Sequence, residues 1–211
     1  MTKADSDEPL LYVDIAKTLY ENGYHPTPCR GKNPNIAGPG WNKPLAEERL
    51  ADMMLEYGWA NTGIVCGDVV GLDVDIKDHA EASIARRIAA EVLPPELLVR
   101  VGEHPKFLLL GKSDGSVAYA KSAKVEVFAT LGGGHPKGQF VVFGEHEDTG
   151  LPYEWETKSP LDVAMTDLPI LSHDAVHEFL RRLDAEIGTS TLPKYLEAYT
   201  RETQLPSAPT G

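Results

Sequence analysis

Apolar residues change their spacing twice along this chain. Leu11, Ile15 and Leu19, with Ala16, recur three and four apart, the period of one helical face. Gly23 follows as a C-cap, so the pattern predicts a helix over 9–22. Leu50, Met53 and Met54 predict a second helix over 45–57, ended by Gly58. Between them, residues 25–41 hold four prolines and three glycines and read as a long loop.

The middle of the chain shifts to short β-type runs. Gly63-Ile64-Val65-Cys66 and Val69–Ile76 predict a hairpin turning near Gly67-Asp68. Ile84, Ile88 and Val92, with Ala85 and Ala89, predict a helix over 80–93 that Pro94-Pro95 stops. Four strands are expected at 97–101, 106–110, 124–128 and 139–143, with Gly, Asp and Ser in the turns. Helical spacing then returns. Val176, Phe179, Leu180, Leu183 and Ile187 predict a helix over 173–187 ended by Gly188, and a weaker one runs from Pro193 to Glu202. Residues 1–8 and 205–211 are polar or Pro/Ser-rich and are expected to be disordered and loose, respectively. Helices, then strands, then helices predict an α+β fold with one main antiparallel or mixed sheet.

Two acids interrupt the most apolar strand. In Val69-Val70-Gly71-Leu72-Asp73-Val74-Asp75-Ile76, Asp73 and Asp75 are two apart and project to one face. Carboxylates packed side by side are costly to bury unless a cation lies between them. A divalent ion supplies that charge, and oxygen ligands suit Mg2+ or Mn2+. A strand end where both acids reach water is the plainer alternative. Glu126, in Val125-Glu126-Val127-Phe128, is a third acid in an apolar strand. Placed on a neighbouring strand it completes a three-carboxylate set, which can hold two metals about 4 Å apart for in-line phosphoryl or nucleotidyl transfer.

The candidate phosphate contacts are cations and a histidine. Arg100 and Lys106 flank the turn Gly102-Glu103-His104-Pro105, and Lys106 leads into the apolar Phe107-Leu108-Leu109-Leu110. His146 lies in the polar loop after the strand at 139–143, and Tyr153 and Trp155 beyond it read as packing residues. Gly111-Lys112-Ser113 resembles the end of a P-loop, but position 106 is Lys where the motif needs Gly. Gly132-Gly133-Gly134 is a flexible turn rather than a dinucleotide fingerprint. The histidines lack zinc spacing with the cysteines.

Composition narrows the class without naming it. With 42% hydrophobic and 25% charged residues, the 211-residue chain is ordinary for a globular protein. Its net charge of -12 opposes non-specific coating of duplex DNA, so any nucleic-acid contact needs a local basic patch. Cys29 and Cys66 make no disulfide framework, and the polar start Met1–Glu8 is no signal peptide. A cytoplasmic protein is expected. No apolar run approaches the roughly 18 residues of a membrane span.

Taken in order, the residues make a longer pattern. Lys32, Gly40-Trp41, Asn61-Thr62-Gly63-Ile64, Gly71-Leu72-Asp73-Val74-Asp75, Arg100 with Pro105-Lys106, and Val125-Glu126-Val127 are followed by Gly138-Gln139-Phe140-Val141-Val142-Phe143-Gly144-Glu145-His146 and Pro152-Tyr153-Glu154-Trp155. This series, over about 10–160, resembles the bifunctional primase/polymerase (prim-pol) domain of phages and plasmids, in the archaeo-eukaryotic primase superfamily. The resemblance implies an RRM-like catalytic sheet with an N-terminal α/β unit beside it, to which the C-terminal helices predicted from spacing are added. It implies a catalytic domain over 9–170 and a bacterial or archaeal host cytoplasm, while the helical spacing beyond gives an extension over 171–204. It also implies template-directed nucleotidyl transfer, with nucleoside triphosphates (dNTP or NTP) and single-stranded or primed DNA as partners.

Residue by residue, Asp73, Asp75 and Glu126 match the family's metal-ligand motifs, for Mg2+ or Mn2+. His146 matches the loop histidine, and Lys32 a lysine near nucleotide or template. Where the family carries a triphosphate-contacting histidine, this chain departs: Lys106 holds the place, with His104 two residues earlier. Such domains are often joined to a helicase. No helicase motif is present, so a larger primase-helicase or a separate helicase partner is implied. Two other functions stay open on the sequence alone: a non-catalytic replication-initiation or DNA-binding module of the same fold, and a template-independent, metal-dependent nucleotidyltransferase.

Overall fold

The Pro-rich stretch after the first helix forms a strand where the sequence pattern predicts a loop. The computed structural model describes residues 9–34, 38, 40–43, 45–130 and 138–203. After α1 (Tyr12–Glu21) the chain forms β1 (Pro26–Cys29). This strand pairs antiparallel with β2 (Asn61–Val65), which pairs in turn with β8 (Gln139–Phe143). As the outer strand of this three-stranded sheet, β1 tolerates Pro26 and Pro28, because an edge residue needs no second ladder donor. Helix α2 (Glu47–Tyr57) packs on α1 through Tyr12, Ala16, Leu50 and Met53.

The expected hairpin does not form. β3 (Val69–Val74) follows β2 closely but belongs to the larger sheet, between β5 (Phe107–Ser113) and β7 (Val125–Phe128). The connecting residues are bonded to both sheets instead of to each other. Cys66 N–H donates to Gly138 O at 3.2 Å, and Asp68 O accepts from Ser113 N at 2.8 Å. Beside the one main sheet expected from the sequence there is thus a second, smaller one. The larger has the order β6-β7-β3-β5-β4-β9, from β6 (Ala120–Lys121), β4 (Leu98–Val101) and β9 (Glu154–Trp155), with β10 (Ile170–Leu171) parallel to β5. The α+β class holds, as do the helices α3 (His79–Val92), α4 (His173–Ile187) and α5 (Leu192–Thr203).

Alternation along β3 assigns its two sides. Val70, Leu72 and Val74 join Ala82, Ala85 and Ile88 of α3 and Val176, Phe179, Leu180 and Leu183 of α4 in one core, which Tyr195 of α5 closes. Burial of each large apolar side chain contributes about 1.5–3 kcal/mol. Helices α3 and α4 start where a side chain satisfies a free N–H group. Asp78 accepts from Glu81 N at 2.9 Å, and Ser172 from Ala175 N at 3.4 Å. A second core lies between the sheets, where Leu108 and Leu110 of β5 meet Ile64, Phe140 and Val142.

The two sheets touch closely at Gly71. A Cβ there would lie 2.7 Å from Cε1 of Phe140, so only glycine lets the smaller sheet settle against β3. No helix among the described residues is long and apolar enough to cross a membrane. The expected disorder of 1–8 and looseness of 205–211 fall outside the described residues, as does the turn at 132–134.

Candidate active site

Strand register, rather than loop placement, assembles the charged groups. Residues directly paired across a sheet project to the same face. Lys121 of β6 pairs with Glu126 of β7, Glu126 with Asp73 of β3, Asp73 with Leu108 of β5, and Leu108 with Arg100 of β4. One row across five strands thus carries a lysine, two carboxylates, a buried leucine and an arginine. Asp75 lies two positions beyond Asp73, and its backbone N–H is tied to Lys124 O at 2.8 Å. Both acids lie opposite the helix-packed side of β3, as their spacing predicts.

Each carboxylate has its own cation. Arg100 Nη2 is 3.6 Å from Asp73 Oδ1, Lys106 Nζ 2.8 Å from Asp75 Oδ1, and Lys121 Nζ 2.5 Å from Glu126 Oε2. The other oxygen of Glu126 accepts from the Tyr119 hydroxyl at 2.9 Å. Burial and that carboxylate push the Tyr119 pKa up to about 12, so the phenol remains a donor. Lys106 also reaches Glu103 at 2.5 Å. Burial alone would lower the Lys106 pKa, but Asp75 and Glu103 outweigh it and keep the ammonium charged.

Arg100 is enclosed rather than placed at a solvated strand end. It is buried, donates through Nη1 to Val141 O, and lies over the Tyr153 ring at 4.6 Å. His146 is buried too, meeting Tyr153 edge-on at 5.3 Å. Gly102 makes room for this pair, since a Cβ there would lie 2.6 Å from Tyr153 and 2.7 Å from His146. Burial and the Lys32 charge hold the His146 pKa below the ordinary value, so the ring is neutral at neutral pH. Its Nδ1 accepts from Asp148 N at 3.3 Å, which leaves Nε2 as the protonated, donating nitrogen. As expected, Tyr153 and Trp155 pack: Tyr153 is buried under Arg100, and Trp155 Nε1 donates to Val142 O at 3.1 Å.

Lys32 is fixed through its backbone. Its N–H donates to Glu147 at 3.2 Å, its carbonyl accepts from Gln139 Nε2 at 2.7 Å, and the neighbouring Gly31 carbonyl accepts from Asn61 at 3.3 Å. Lys32, Asp73, Asp75, Arg100, Lys106, Glu126 and His146, seven candidates from the sequence, line one cleft of about 440 Å³. Arg100 Nε and Gln139 Oε1 are buried in its wall with no hydrogen-bond partner among the described residues.

The donor set fits a hard divalent cation. Burial, then the charges of Asp75 and Glu126, raise the Asp73 pKa against the opposing pull of Arg100 and Lys32. A cation bound among the three acids would relieve that crowding. Among the described residues, Glu103, His146 and Asp148 bring possible ligand atoms within 4.8 Å of one another, a cluster that would take a cation only in a tautomer that frees a ring nitrogen of His146. The three strand acids do not form so tight a group.

Glu103, Tyr119 and Lys121 do not stand out in the sequence. Glu103 lies in a polar turn, where an acid breaks no pattern. Tyr119 precedes and Lys121 ends a two-residue strand too short to show a period, so only their contacts with Glu126 reveal them.

Carboxylates for divalent ions beside fixed cations make the arrangement that phosphoryl- and nucleotidyl-transfer sites use. The chain belongs to the bifunctional DNA primase/polymerase, N-terminal (Prim-Pol) family, whose model matches residues 16–172. That span runs from within α1 to Ser172, the cap of α4, and contains every candidate residue. No curated protein matches the chain significantly. Membership implies primase/polymerase activity of the nucleotidyltransferase type, with nucleotides as substrates and DNA as template.

Proposed function

We propose that the cleft performs template-directed nucleotidyl transfer, with Asp73, Asp75 and Glu126 as the ligands of Mg2+ or Mn2+. The observation that carries this reading is the row across the sheet, which puts Asp73 and Glu126 side by side. When bound, the metals supply charge neutralisation at the triphosphate and an activated attacking hydroxyl. Arg100, locked by Val141 and Tyr153, holds a fixed positive charge for the phosphates. Lys106 adds a second charge where the family usually places a histidine. His146 donates through Nε2 to a phosphate oxygen. Lys32, on its pinned loop, serves nucleotide or template. The attacking group is a primer 3′-hydroxyl or the hydroxyl of an initiating nucleotide. A helicase, covalently joined or separate, would supply the unwound template.

The test is incorporation of labelled nucleotide on a single-stranded template, with each nucleotide type, with and without primer. Wild-type extension should depend on divalent metal and on template sequence. Asp73→Ala and Asp75→Ala should each lower it by at least about 10²–10³-fold. Near-wild-type extension by either variant would sink the proposal. Product independent of template would favour an untemplated transferase, and DNA binding without incorporation a non-catalytic module.

A further inference from the structure

Lys121 has no role in the function proposed above, yet it occupies one oxygen of a carboxylate that the proposal assigns to metal. The two cationic ends of the row are held differently. Arg100 is buried and bonded to a backbone carbonyl. Lys121 sits on the two-residue outer strand β6, with its side chain 60% exposed, and the acid it contacts is 15% exposed. Glu126 has both oxygens engaged, one by the Tyr119 hydroxyl and one by Lys121. Each oxygen keeps a second lone pair, so a divalent ion can approach Glu126, but it then lies beside the donor already there. The ammonium is the donor a dication repels, and it has open solvent to move into. It also lines the cleft shared with Arg100, Lys106 and His146, so a triphosphate there lies beside it.

The geometry points to Lys121 as an exchangeable counter-ion: it neutralises Glu126 in the metal-free protein, then leaves that carboxylate and pairs with the triphosphate once divalent ion is bound. This rests on the metal-and-nucleotide reading of the cleft. Charge balance then links the two ligands. Metal alone strands an ammonium, and nucleotide alone strands a carboxylate. Together they leave every charge partnered, and such coupling is reciprocal.

The discriminating consequence is a pair of effects of opposite sign. Mn2+ binding to the full chain is followed from the paramagnetic resonance of the free ion. Affinity for a deoxynucleoside triphosphate with an α,β-imido bridge is measured by calorimetry in saturating Mn2+. Lys121→Met should tighten Mn2+ binding without nucleotide and weaken nucleotide binding with Mn2+, each by roughly two- to fivefold, the worth of an exposed ion pair. Lys124→Met removes the same charge from a lysine paired with Glu81 instead, and should do neither. Unchanged or weaker Mn2+ binding in Lys121→Met, or the same changes in Lys124→Met, overturns the inference. Asp73→Asn separates it from the reading beneath it. If Asp73→Asn loses Mn2+ while Lys121→Met binds as wild type does, the metal reading stands and the exchange falls. If wild type and Asp73→Asn bind Mn2+ alike, both fall.

Discussion

On one face of β3, Val70, Leu72 and Val74 press into the helices α3 and α4. On the other, Gly71, Asp73 and Asp75 meet the smaller sheet and the charged cleft. The two sets alternate residue by residue, yet they obey different physics. The helix-packed face draws its strength from apolar area, spread over many contacts that degrade gradually. The cleft face is balanced charge by charge, Arg100 against Asp73, Lys106 against Asp75 and Glu103, and Lys121 against Glu126, so removal of Asp73 or Glu126 takes a partner from a cation. Stability and chemistry are thus separated by a shift of one position.

That separation can be broken or sharpened by substitution. The largest effect is the loss of extension in Asp73→Ala, with helical circular dichroism like that of wild type. Its neighbour should behave in the opposite way. Leu72→Ala empties a fully buried site and should cost about 2–5 kcal/mol in denaturant unfolding, with extension per folded molecule retained. If Leu72→Ala instead removed activity at full stability, the two faces would not be independent. Gly71→Ala tests the seam between them. Its new methyl meets Phe140 and should cost about 1–3 kcal/mol. Because the displaced ring also lines the cleft, nucleotide affinity should fall as well.

A smaller effect lies on the helix side. His173 stacks on Tyr199 at 3.7 Å and bonds the Tyr195 hydroxyl at 2.9 Å. Burial, then the charge of His177, lowers its pKa against the weaker pull of Asp174 and Asp114. On acidification the unfolded chain therefore takes up the proton first, and stability falls as pH drops through the ordinary histidine range. His173→Asn, which does not titrate, should lose less of its thermal midpoint between about pH 7 and about pH 5 than wild type does. An equal loss in the two proteins would refute this origin for the pH dependence.

Much of the site is legible in the sequence. Asp73, Asp75 and Glu126 stand out because a carboxylate in an apolar strand violates the local pattern, and Arg100, Lys106 and His146 because they adjoin it. Less can be read of their surroundings. Arg100 looks like an ordinary strand residue until Val141 and Tyr153 are seen to enclose it. His146 looks like a loop residue until Gly102 is seen to admit it beside Tyr153.

The sequence by itself determined the helices, most of the strands, the α+β class and the side of β3 on which the acids lie. These follow from periods of 3.6 and 2, which are local properties of the chain. Tertiary structure alone decided that β2 leaves β3 for a second sheet, that β1 is a strand, and that Lys121 reaches Glu126. Those depend on which strands pair and in what register. Pairing is a contest among segments far apart in sequence, and a two-residue strand such as β6 carries no period from which to foresee its outcome.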